Sequence, residues 1–273
     1  MAYTTIDDPS AHFQTALYSG TGSSQAITND GNSDLQPDWI WWKRRDTGYA
    51  HGLVDSSRGT GKYLRSDSNA AEGTDYTYIT SFDSDGFTIP SGDQSSNNSS
   101  GTYVAWQWKA GGGTTASNSV GDISSTVQAN TTAGFSIVTY TGNGNANQTI
   151  GHGLGAVPKM ILFKNRSNTA YWYVYHVDTG NDTMMYLNLT NAAQSLSSQF
   201  STATTTTFNV SNENSTFNGY NSSSQTYVAY VFAEKQGYSK FGKYKGNGST
   251  DGPFIYTGFK PAFVILKGSS NSG

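Results

Sequence analysis

The chain has 273 residues, no cysteine and a formal net charge of −3, and only 13% of its residues are charged while 14% are aromatic. These values exclude a disulfide-stapled module or a thiolate metal site, and they leave no basic footprint for nucleic acid. No run of about 18 apolar residues occurs, and the start MAYTTIDDPS has neither a basic nor an apolar leader region, so neither a membrane span nor a signal peptide is expected. Gly, Ser, Thr and Asn fill the spaces between apolar runs. That composition favours strands and tight turns, because these residues compete for backbone hydrogen bonds or cost entropy inside helices.

In chain order, residues 1–12 read as an N-terminal arm, frayed or docked, with Asp7-Asp8-Pro9-Ser10 as a turn signal. A first repeat is expected over residues 13–110. Its predicted strands are Gln14 to Tyr18, Gln25 to Thr28, Asp38 to Arg44, Gly52 to Asp55, Tyr63 to Arg65, Thr77 to Ser81, Phe87 to Ile89 and Thr102 to Lys109. The last alternates, with Tyr103 and Ala105 on one face and Val104, Trp106 and Trp108 on the other. Residues 111–133 read as a Gly/Ser/Thr linker, with a short extra strand over Asp122 to Val127. A second repeat follows over 134–235, including strands at Tyr171 to Val177 and Thr226 to Ala233. A partial third occupies 236–273.

The repeat rests on three markers. Tyr18-Ser-Gly-Thr-Gly, Tyr140-Thr-Gly-Asn-Gly and Tyr244-Lys-Gly-Asn-Gly stand upstream of PDWIWWKRR, PKMILFKNR and PAFVILKGS, which align without gaps on Pro37, Pro158 and Pro261. Thr102-Tyr-Val-Ala-Trp answers Thr226-Tyr-Val-Ala-Tyr. The proline-led strands are apolar at consecutive positions, which predicts cover on both faces, and a proline at the mouth of a strand costs no ladder bond. The fold class expected is all-β, with tandem antiparallel β-sandwich (jelly-roll-like) repeats. A propeller is disfavoured because its blades repeat at about 40 to 50 residues. The third copy stops after its proline strand, so the chain is expected to continue in a longer protein.

No chemistry-bearing constellation emerges from the sequence. His12, His51, His152 and His176 are scattered, and only His152 lies in a repeat marker, where a turn role is favoured. Gly59-Thr-Gly-Lys62 fails as a phosphate loop because Ser56 occupies the first glycine position, and Asp83-Ser-Asp85-Gly86 reads as a hairpin turn rather than a calcium loop. No catalytic residue, cofactor or metal ligand is assigned. The aromatic excess leaves Trp108, Trp172 and Tyr173 as candidate glycan contacts, although the alignment of most such positions with core-type residues favours packing.

The motifs at Tyr140 to Gly144, Gly153 to Lys164 and Thr226 to Tyr230, with the opening AYTTIDDPSAHFQ, resemble those of repeat-containing virion proteins of marine tailed bacteriophages, of the tail-fibre or appendage kind. The resemblance covers nearly the whole chain. It implies a non-enzymatic structural component of the virion, assembled in the host bacterial cytoplasm. Such a component would form a homo-oligomer, attach to other virion proteins through the N-terminal arm, and contact a host surface glycan. A glycan-binding lectin-like module or a head decoration protein is the alternative.

Overall fold

The computed structural model describes residues 3–74, 78–195, 203–211 and 219–270. In the N-terminal half, nine strands follow one another: β1 (Phe13–Ser19), β2 (Gln25–Thr28), β3 (Trp39–Arg44), β4 (Gly52–Asp55), β5 (Lys62–Tyr63), β6 (Gly73–Thr74), β7 (Ser81–Asp83), β8 (Gly86–Ile89) and β9 (Thr102–Trp108). The connection carries β10 (Ala116–Asn118) and β11 (Ser125–Asn130). The C-terminal half adds β12 (Phe135–Thr141), β13 (Gln148–Gly151), β14 (Met160–Asn165), β15 (Tyr173–His176), β16 (Thr183–Tyr186), β17 (Gln194–Ser195), β18 (Thr207–Val210) and β19 (Thr226–Phe232). The described helix is limited to two single 3-10 turns, Pro9–Ala11 and Val177–Thr179. The fold is all-β, built from antiparallel sheets.

The strand order β1-β9-β3-β4 forms one sheet, and β12-β19-β14-β15 recurs inside an eight-stranded sheet that β10, β11, β16 and β17 extend at its edges. Registers agree as well as order. Phe13 pairs with Trp108 and Ser19 with Thr102, as Phe135 pairs with Phe232 and Thr141 with Thr226. In each half a small second sheet, β2-β8-β7 or β13-β18, covers one face of the large one. Ile27, Phe87 and Ile89 meet Ala16, Ile40, Trp42, Val54 and Ala105 in the N-terminal core, and Ile150, Phe208 and Val210 meet Val138, Ile161, Phe163 and Val231 in the C-terminal one.

The remaining faces of the two large sheets pack on each other. Trp39, Trp41, Leu53 and Trp108 on one side meet Phe135, Leu162, Val174, Val228 and Tyr230 on the other. The Trp39 ring stacks on Tyr230 at 4.2 Å between centroids. This arrangement explains the consecutive apolar run of the proline-led strands. Because side chains alternate across a strand, Ile40 and Trp42 fill their own half's core while Trp39 and Trp41 fill the junction. β3 and β14 each have a hydrogen-bonded neighbour on both sides, so neither is an edge.

Three segments differ from the sequence expectation. Residues 111–133 are no free linker: β11 pairs with β12 along its whole length, and Ile123 and Val127 are buried in the C-terminal core. A few apolar side chains at alternating positions suffice to add a strand to an existing sheet edge, whatever the Gly/Ser/Thr content around them. The third proline-led stretch, near Pro261, forms no strand, and Phe254 is 91% and Leu266 69% exposed. In both halves the proline-led strand is hydrogen-bonded to a closing strand far downstream, β9 or β19, and residues 236–270 hold no counterpart of it. The stretch is instead tied down at points: Phe263 packs against Trp108 at 5.2 Å and Trp106 at 5.4 Å, Lys267 donates to the Leu189 carbonyl, and the Ser269 carbonyl accepts the Ala193 amide at 2.9 Å. The expected strand Thr77 to Ser81 begins outside the described residues, and Ser81 starts β7 instead.

The described part of the arm, residues 3–12, is docked. Ile6 is buried, and the Asp8 carboxylate accepts from the Ser10 amide at 2.9 Å and the Ser33 hydroxyl at 2.6 Å.

Candidate functional site

A polar cluster of five side chains, Asp55, Arg58, Glu72, Arg166 and Tyr230, lies at the junction of the halves. The turn after β4 places the Arg58 amide against the Asp55 carboxylate at 2.9 Å and folds the guanidinium back onto the same carboxylate. Arg58 then donates to Glu72 at 2.9 Å and to the Tyr230 hydroxyl, across the junction, at 3.1 Å. Tyr230 in turn donates to Asp55 at 2.7 Å, and Arg166 of the C-terminal half grips both Glu72 oxygens at 2.8 and 3.0 Å. Burial works against the Arg58 charge, yet Asp55, Tyr230 and Glu72 together hold it above its ordinary range. Burial likewise opposes the Glu72 charge, but Arg166 and Arg58 keep its carboxyl below the usual carboxylate value. Two cations and two anions satisfy one another here. The cluster can fix the sheets in register, since breaking a buried pair leaves a charge uncompensated, but it offers no unpaired acid or base to a substrate.

The candidate glycan contacts do not form a site. Trp108 is 8% exposed, Trp172 0% and Tyr173 4%, and they belong to two different cores. Trp108 lies on Trp39 at 4.4 Å, Trp172 donates its indole N–H to the Arg65 carbonyl at 2.8 Å, and Tyr173 packs on Tyr220 at 5.7 Å. A sugar stacks on an exposed ring face, and all three faces are used internally, so this assignment is corrected.

The histidines are engaged separately. The His152 Nδ1 accepts the Leu154 amide at 3.2 Å while Nε2 faces the Thr204 carbonyl at 3.2 Å, which makes it a neutral turn residue. His176 caps a 3-10 turn through the Asp178 amide, His12 meets Asn130, and His51 accepts from the Trp41 indole at 2.8 Å. Burial lowers all four. Among the described residues no group of three or more His, Asp or Glu is placed to hold a metal ion. Lys62 is tied to Thr74 at 2.7 Å, and Asp83 and Gly86 flank the β7–β8 hairpin turn, Asp83 accepting from Ser81 and Thr88.

Surface cavities open among the described residues. One, of about 310 Å³, lies between the halves beside Trp41, Asp67 and Leu187 to Thr190. Another, of about 190 Å³, opens in the N-terminal half beside Trp42, Tyr49, Gly52, Tyr63, Arg65 and Tyr78. Sequence reasoning passed over these residues, since they are distant in the chain and no motif links them.

No curated protein and no solved structure matches the chain. The match that does exist spans almost all of the architecture just described, both halves and the exposed C-terminal stretch: residues 8–273 fit the family described as Domain of unknown function (DUF7483), and the chain belongs to that family.

Proposed function

We propose that the protein is a bacteriophage virion structural protein, a tail-fibre or appendage component that displays β-sandwich units for assembly and host attachment. One observation carries this reading. The two halves repeat strand order, register and core positions and the polar groups that brace their turns, such as Asn97 and Asn221, yet other polar groups at equivalent places differ, as Asp38 and Lys159 do after their prolines. A scaffold needs its packing duplicated, whereas an enzyme needs one converged set of polar groups. The motif resemblance supplies the virion setting. Lateral contacts between copies would cover the open edges of the sheets at β1 and β10, which gives the reading its homo-oligomeric form. Contacts to other virion proteins run through the outer surface of residues 1–12.

Mass spectrometry of purified particles of the phage that encodes the chain, with antibody labelling in electron micrographs, tests the assignment. The expected result is a multicopy protein labelled on the particle surface. Its absence from particles that are otherwise complete would refute the reading.

A further inference from the structure

The matched registers allow the halves to be compared position by position. Trp42 faces Gly52 across β3 and β4 as Phe163 faces Tyr173 across β14 and β15. Asn97 accepts the Thr21 amide as Asn221 accepts that of Asn143, both at 3.0 Å. The carbonyls just before them, of Ser96 and Tyr220, accept from the Tyr18 and Tyr140 hydroxyls. Gly52 therefore corresponds to Tyr173, Ser95 to Gly219 and Ser96 to Tyr220.

In the C-terminal half the Tyr173 ring lies so close over Gly219 that a Cβ there would stand 2.9 Å from it, and it meets Tyr220 edge-on. In the N-terminal half neither ring is present, and Gly52 and Ser95 line the cavity of about 190 Å³. Position 52 must stay glycine beside this indole, because a Cβ would come within 1.9 Å of Trp42. A void of about 150 Å³ admits benzene, so this one has room for a single six-membered ring.

The lining says which ring. Tyr49 and Tyr63 are the half-exposed rings of the lining, and behind Tyr63 stand Tyr78 at 4.7 Å and, against Tyr78, Trp42 at 5.3 Å, so the walls are aromatic and part of their surface is open. At the rim the exposed Arg65 guanidinium lies over the Tyr63 ring at 5.5 Å and is bonded to the Tyr78 side chain. His51 accepts at Nδ1 from Trp41, which leaves the proton on Nε2 as a donor. The Trp42 indole N–H is buried with no partner among the described residues. The cavity thus offers a cation and the His51 N–H; no described carboxylate lines it, and Asp67, whose carboxylate accepts the His51 amide at 3.3 Å, is the neighbouring acid that Arg65 also feels. Arg in such a position matches a carboxylate in two-pronged geometry, and tyrosine walls suit the C–H face of a sugar.

We infer that this cavity binds an acidic pyranose, its ring between the aromatic walls and its carboxylate on Arg65, as a uronate unit of a bacterial surface polysaccharide would present it. The site gives the host-attachment part of the proposed function a ligand class and rests on that reading for its biological setting alone. Binding is measured on the isolated chain and particle content on virions, so the two can fail separately.

Saturation-transfer NMR on the full chain with methyl glucuronide, against methyl glucoside as the neutral match, tests the site. The glucuronide is expected to receive saturation and to bind at least about tenfold more tightly than the glucoside, the scale of one charge-assisted contact. Arg65→Ala should reduce it to the glucoside level. Trp42→Phe combined with Gly52→Tyr, which restores the pairing found in the C-terminal half, should fill the cavity and abolish binding. No saturation transfer, equal binding of both sugars, or glucuronide binding undiminished by Arg65→Ala overturns the inference. If the double variant does not fold, Arg65→Ala decides by itself, since its side chain sits on the exposed rim.

Discussion

Lys164 is fully buried on β14, and its amine donates to the Ala170 carbonyl at 2.7 Å and the Asn69 carbonyl at 3.2 Å. Both acceptors are neutral. Burial therefore pulls its pKa down from 10.5 to about 8. The aligned Lys43 has the same kind of partners, the Arg44 and Thr47 carbonyls, but on the surface. Below pH 8 both folded and unfolded chains carry the Lys164 proton, and folding bears the cost of burying the charge, about 3 kcal/mol from the size of the shift. Between about 8 and 10.5 the unfolded chain holds more protons than the folded one, so stability from this group rises with pH through that window. Lys164→Met removes the titration. Denaturant unfolding at pH 7 and pH 10 should show the wild type gaining about 2 to 3 kcal/mol relative to the variant at the higher pH. A difference that stays constant would mean that the amine titrates near its ordinary value.

The connection between the halves depends on one carboxylate. Asp38 and Lys159 have the same backbone role: each follows the proline, donates its amide to the last residue of the closing strand, and accepts from the residue after the hairpin partner. Their side chains diverge. Asp38 accepts the amides of Ala110, Gly112 and Gly113 at 2.6 to 2.8 Å and the Ser56 hydroxyl at 2.7 Å. Gly112 and Gly113 can turn their amides inward because they sit at φ of 64° and 80°, where other residues are strained. This grip aims the chain so that β10 and β11 reach the edge of β12. Asp38→Ala would strand the buried Ala110 amide and release the half-buried Gly112 and exposed Gly113 amides to water, at a cost of about 1 to 3 kcal/mol. Hydrogen exchange over residues 110–130 should accelerate while β3 and β14 stay protected; unchanged protection would show that β11 is held by its strand pairing alone.

On the scale of the whole molecule, the halves share a core and cannot be treated as separable beads. Trp39, Leu53, Leu162, Val228 and Tyr230 are each no more than 1% exposed, and all face the junction. Each such side chain contributes about 1.5 to 3 kcal/mol on burial, so uncovering several exceeds the 5 to 15 kcal/mol that stabilises an ordinary domain. Splitting the chain also strands Arg58 and Glu72 without Tyr230 and Arg166. Residues 134–235 expressed alone should therefore aggregate or bind a hydrophobic dye strongly, whereas the full chain should melt in one transition. A soluble, cooperatively folding fragment would contradict the shared core.

The sequence by itself determined the all-β class, most of the strands, and the central place of the first two proline-led segments, because strand periodicity and turn residues are local properties. It also marked His152 and the Asp83 stretch as turn features, since no partner stood at a spacing that chemistry requires. Only the tertiary structure decided what covers the outer face of Trp39 and Trp41, because that cover comes from strands about a hundred residues away. The same limit explains Trp172 and Tyr173. Adjacent aromatic residues read as one exposed stacking surface, but alternation sends one to the junction and the other to the C-terminal core. Composition hid β11, whose pairing depends on an edge supplied by β12. The cavity at Trp42 was hidden most deeply: Gly52 and Ser95 are unremarked small residues until strand register sets them against Tyr173 and Gly219, and a missing ring can be seen only where its counterpart has been placed.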